Sequence, residues 1–156
     1  MKPIIVASIV LLAGLSSQAM AQCATATRVT RLTTPTIINA LSGKLVCGRP
    51  AAGNPGSATD RLQEENIAGA PGATTGDLFD YKRGPGDPKD PREKVGTWTI
   101  TSAGVTYVYT SGGTYVWTLH NNTTHFSFCT AAGGTEVVRA FIVTNTGTGC
   151  GGSFPP

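Results

Sequence analysis

The sequence predicts an all-β protein: an antiparallel meander of about eight strands, closing as a small barrel or folding as a sandwich, and stapled by disulfides. Three observations carry that expectation. From residue 95 to residue 156, runs of β-branched and aromatic residues alternate with polar ones at period two, and short turns rich in Gly, Ser and Asn separate them. Charged residues are only 13% of the 156-residue chain, against 20 Gly and 10 Pro, a balance that excludes a helical bundle or a coiled coil. Four cysteines follow an export-like leader, and in an oxidising compartment an even count in a small domain reads as disulfides.

The leader comes first in the chain. Met1-Lys2 is a one-charge start, residues 4–15 are apolar except for Ser8 and Gly14, and Ala19-Met20-Ala21 places small residues at −3 and −1 of a cleavage point. Residues 1–21 are therefore expected to be a cleaved signal peptide, leaving residues 22–156 as a single β domain. The apolar stretch is about 12 residues where a bilayer span needs roughly 20, and no second apolar run follows, so no membrane span is expected. Gln22 precedes Cys23 where lipidation requires a small residue, which favours a periplasmic or secreted product. The formal charge of +3 falls to +2 without Lys2, too weak to imply a nucleic acid partner.

Cys23, Cys47, Cys129 and Cys150 show no CxxC spacing and allow three pairings. The nested one is the expectation, with Cys23 joined to Cys150 across the termini and Cys47 to Cys129 across the core. Residues 36–41, after Pro35, read either as a short helix or as an edge strand. Strands are then expected at residues 43–49, 61–66 and 78–83, and after them at 95–100, 105–110, 114–120, 125–129 and 136–144. The breaks at 102–104, 111–113, 121–124 and 131–134 are of hairpin length, which implies an antiparallel meander. An open sheet of this size leaves two unpaired edges, hence closure. Period two puts Trp98, Ile100, Tyr115, Trp117, Leu119, Phe126 and Phe128 on one face, the core or the lining of a cavity.

Charge is concentrated elsewhere: residues 60–94 hold 14 of the 21 formal charges. A charged Pro/Gly-rich loop is expected at about 84–94. Asp77, Asp80, Asp87, Asp90 and Glu93 raise calcium or a paired-carboxylate mechanism, but Lys82, Arg83, Lys89, Arg92 and Lys94 interleave with them. The Asp-x-Asp-x-Asp-Gly spacing of a calcium loop is missing, so a solvated loop is expected. Of Glu64 and Glu65, strand alternation sends one inward, where it needs a partner such as Arg61 or Arg49. His120 and His125 flank residues 121–124, facing each other across a regular hairpin beside Thr118 and Ser127. Two imidazoles do not complete a zinc site, so exposed shoulder residues are expected. No Gly-x-Ser-x-Gly elbow supports a hydrolase.

The segments Ser42-Gly43-Lys44-Leu45-Val46-Cys47, Gln63-Glu64-Glu65, Asp80-Tyr81-Lys82-Arg83-Gly84-Pro85, Asp87-Pro88-Lys89-Asp90-Pro91 and Val95-Gly96-Thr97-Trp98 together resemble a group of small secreted proteobacterial proteins of unassigned function. The resemblance spans about residues 42–129 and implies no activity. The triplet Gly96-Thr97-Trp98 also looks like the Gly-x-Trp that opens the first barrel strand of lipocalins. With 58 residues after Trp98, a full barrel of that family cannot start there, so the resemblance is one of architecture only.

The function expected from these features is non-enzymatic binding. A small apolar or amphipathic ligand would lie against Trp98, Tyr107, Tyr109, Tyr115 and Trp117, with no cofactor and no metal. The alternative is an interaction or inhibitor module that meets an envelope protein through residues 78–95, using Asp80, Lys82, Arg83, Asp87 and Asp90. An enzyme working through Asp80, Glu64 or Glu65 comes third, because no acid–base pair is placed by the sequence.

Overall fold

Period-two alternation fixes two faces on every strand, and the chain folds so that one face is shared by eight of them. The computed structural model describes residues 23–24, 26–30, 36–51, 62–68, 70, 72–81, 92–102, 104–131, 134–145, 147 and 149–155. Its elements in chain order are β1 (Thr27–Val29), α1 (Ile37–Leu41), β2 (Lys44–Pro50), β3 (Leu62–Asn66), β4 (Thr75–Asp80) and β5 (Glu93–Ile100). They continue with β6 (Val105–Tyr109), β7 (Thr114–Asn122), β8 (His125–Thr130) and β9 (Glu136–Thr144). Strands β2 to β9 pair antiparallel with their sequence neighbours, and β9 pairs back onto β2 from Lys44↔Thr144 to Pro50↔Val138. The sheet is thereby a closed eight-stranded barrel and not a sandwich. β1 is a ninth strand, laid against Leu119 to Asn121 of β7 beyond the stretch that pairs with β6.

The inner face holds the residues that alternation selects. Trp98, Ile100, Val105, Tyr107, Leu119 and Phe128 are buried in one core cluster with Val46, Leu78 and Ala140. α1 closes one end of this core with Ile37, Ala40 and Leu41. Five residues are too few for a helix to persist on propensity, so α1 depends on this burial and on its cap, where the Asn39 amide donates to Thr36 Oγ1 at 3.2 Å.

Seven of the eight expected strands lie within two residues of their expected bounds, and the exception is instructive. β4 begins at Thr75 and ends at Asp80, three residues earlier than expected, because Gly76 disguises its start. That glycine lies in register with Trp98, and a Cβ there would come within 1.8 Å of the Ile67 carbonyl oxygen. The same carbonyl accepts the Trp98 indole N–H at 2.9 Å. Glycine is required there by close approach, whatever its strand propensity. Residues 36–41 resolve as the helix, and β1, three residues long, carries no signal of its own.

The expected nested disulfides are not formed: Cys23 is bonded to Cys129 and Cys47 to Cys150. The sheet explains why. Cys47 lies opposite Phe141 and Cys129 opposite Glu136, so the two meet β9 five residues, about 16 Å, apart. A disulfide tolerates Cα separations of only about 7 Å. Both face outward, and each receives a chain end. The C-terminal segment covers Leu45 and Cys47 with Phe154 and Cys150, while the N-terminal segment covers Cys129. Peptide mapping under non-reducing conditions is expected to recover these two linkages. The double variant Cys47→Ser, Cys150→Ser is expected to lose about 4 kcal/mol of unfolding free energy in denaturant titration, the size set by a loop of about 100 residues.

Candidate functional site

The barrel end opposite α1 is not filled. A cavity of about 600 Å³ lies there, and every strand of the barrel contributes to its wall. Val46, Leu62, Val95, Phe128 and Val138 make it apolar, and the β6–β7 turn at Thr110 to Gly112 borders its mouth. The wall on β6 and β7 is an aromatic ladder. Tyr115 and Trp117, two apart on β7 and so on one face, stack with centroids 5.9 Å apart and planes 9° from parallel. Tyr109 meets Tyr115 edge-on at 5.7 Å, and Tyr107 meets Tyr109 at 6.4 Å. The ladder thus descends from Tyr115, 44% exposed, to Tyr107, 1% exposed.

Four of the five aromatics selected from sequence line this cavity, and Trp98 does not. It is fully buried in the core, its N–H held by the Ile67 carbonyl. Alternation places residues on a face but says nothing of their height along the barrel.

Polar groups face the aromatics. Glu64 and Asp80 are direct cross-strand partners on the inner face of β3 and β4, and both line the cavity with Glu93 and Lys94. The Tyr109 hydroxyl donates to Glu64 Oε1. Burial raises the Glu64 pKa from 4.5 to about 7; the Tyr109 hydrogen bond opposes this and the charge of Asp80 reinforces it. Burial and the Glu64 charge also raise the Tyr109 and Tyr107 hydroxyl pKa values. Deeper in, the Tyr107 hydroxyl and the Asn66 amide are buried beside each other and make no full hydrogen bond to any other group. Lys94 is drawn to Asp77 at 2.8 Å, and among the described residues no Lys or Arg pairs with Glu64.

No protein-family model, curated protein or solved structure matches the chain. The site is therefore read from its own residues.

Asp80, grouped from sequence with the charged loop, belongs to the cavity wall, because β4 ends there and residue 81 already leaves the strand. Lys82, Arg83, Asp87 and Asp90 lie outside the described residues, as does most of the expected loop at 84–94, whose last two residues begin β5. Glu65 is the unexpected member of its pair. It points outward yet is only 2% exposed, since the C-terminal segment and Arg92 roof it. Arg92 Nε, the Tyr81 hydroxyl and the Asn145 amide all donate to it. Arg49 partners neither glutamate among the described contacts; Arg61 lies outside the described residues.

The histidines also depart from expectation. β7 runs to Asn122, so His120 lies opposite Ser127 and His125 opposite Asn122, with a turn of two residues between the strands. Both rings are largely buried. His120 lies under the N-terminal segment, its Nδ1 3.5 Å from the Ala26 carbonyl, and burial lowers its pKa. His125 Nε2 is 3.4 Å from Glu136 Oε1, a carboxylate eleven residues away that the chain folds back beside it. Ser127 donates to the same oxygen and Arg139 Nε to the other at 2.9 Å. Ser127 and Glu136 are fully buried, so the cluster ties β7, β8 and β9 together and offers no nucleophile to solvent.

Glu64 supplies a testable pH dependence. The folded chain holds the Glu64 proton more tightly than the unfolded chain, so its contribution to stability is complete below pH 4.5 and is lost as pH rises through about 7. Carboxyl carbon NMR is expected to show a glutamate titrating near pH 7. Glu64→Gln is expected to match wild type in thermal unfolding at pH 4 and to be more stable at pH 8, by about 3 kcal/mol.

Proposed function

We propose that the protein is an exported, non-enzymatic binding protein whose barrel mouth holds a small apolar or amphipathic ligand against Tyr107, Tyr109, Tyr115 and Trp117. The aromatic ladder descending into a cavity of about 600 Å³ carries this reading. Aromatics that only pack a core leave no space of this size, whereas ligand sites of about 300–1,000 Å³ have apolar walls and a few polar anchors. Eight-stranded barrels are also wide enough to hold one small ligand. Two disulfides fit an oxidising compartment, periplasmic or external, and the residues of the leader support export. Among the described residues, no helix is long and apolar enough to cross a membrane.

Native mass spectrometry of protein purified undenatured from its own host is expected to show an adduct that denaturation removes. Titration with a naphthalene-based fluorescent probe is expected to give saturable binding. Trp117→Ala should weaken that binding by about tenfold, since one face of the stacked pair is lost. Absence of both the adduct and probe uptake, in protein with the two linkages intact, overturns the reading.

A further inference from the structure

We propose that the ligand's polar end is a protonated amine, seated against Glu64 and Asp80 beside the Tyr107 hydroxyl, with its apolar body on Tyr115 and Trp117. This rests on the barrel mouth being a ligand site and names the class of ligand.

The first support is the charge arrangement. Glu64 and Asp80 face each other across β3 and β4, and two carboxylates side by side repel. The two fully buried carboxylates of the barrel wall, Glu65 and Glu136, each receive an arginine, Arg92 and Arg139, whereas Glu64 and Asp80 are half-buried at the cavity. Glu64 receives only the Tyr109 hydroxyl, and only on Oε1, among the described residues. Among the described residues, no cation completes its setting.

The second support does not depend on the carboxylates. Tyr107 lines the cavity and is 1% exposed, yet its hydroxyl makes no full hydrogen bond, only an approach to the Asn66 amide. A buried hydroxyl is nearly always satisfied, so this one points to a group that comes from outside the chain. It lies close enough to Glu64 to feel its charge. An ammonium has three N–H donors and no acceptor. The Glu64 and Asp80 carboxylates and the Tyr107 hydroxyl oxygen, all on residues that line the cavity, are acceptors. The ring faces of Tyr115 and Trp117 then suit a cation's approach as well as an alkyl or aromatic body. A carboxylate headgroup would meet two like charges, and an alcohol would leave Glu64 without a counter-charge.

The test is a matched series, octylamine, octanol and octanoate, titrated into the disulfide-bonded protein at pH 8.5 with EDTA present, followed by calorimetry and tryptophan fluorescence. Octylamine is expected to bind at least about tenfold more tightly than octanol, and octanoate most weakly. Glu64→Gln is expected to abolish the amine's advantage and to leave octanol within about twofold of wild type. Equal binding of all three, or tightest binding of octanoate, overturns the amine assignment and leaves the barrel as a container for apolar ligands. Binding of none of them, or of the naphthalene probe, overturns both.

Discussion

β9 is hydrogen-bonded along both of its edges, to β8 on one side and β2 on the other, and the rest of the molecule depends on that double pairing. It removes the free edges of the sheet and turns one strand face into an interior. Closure at this radius requires local bends and close approaches. The register shifts at Leu78/Phe79 and at Phe128/Cys129 supply the bends. The close approach appears at Gly48, where a Cβ would meet Val138 Cγ1 at 2.8 Å, and at Gly96, where one would lie 2.0 Å from the Val108 carbonyl oxygen.

A closed barrel has two ends, and this chain treats them differently. α1 and Trp98 fill one, with the indole N–H satisfied by backbone. At the other, aromatic rings stack on one another and leave space between themselves and the carboxylates of β3 and β4. The buried acids divide in the same way. Glu65 and Glu136, on the outer face, are neutralised by arginines and fasten the covering segments and strands. Glu64, on the inner face, is held above the ordinary carboxylate range. The polarity of the outer face serves the fold, and that of the inner face is left for something else.

Most of the strand pattern was legible because period two is a local property. The stretch from Val105 to Thr144 is read almost to the residue, since hairpin partners there are also chain neighbours. Other features depended on non-local geometry. The disulfide pairing is set by which chain end lies over which strand, and the depth of Trp98 by the barrel's stagger. Alternation does separate Glu64 from Glu65, but the more buried of the two is the outward one, because a tail some 80 residues later roofs it. Tyr107 was legible as a member of the aromatic face, whereas Asn66, buried beside its hydroxyl, gave no sequence signal beyond strand membership.

The two disulfides have a topological consequence for the covalent chain. Cys23 and Cys47 both precede residues 52–61 and 82–91, and Cys129 and Cys150 both follow them. A protease that cuts once within either connection therefore yields two peptides still joined by two covalent bridges. Every strand remains tethered to the others, so a nick in either connection is a scar and not a dissociation.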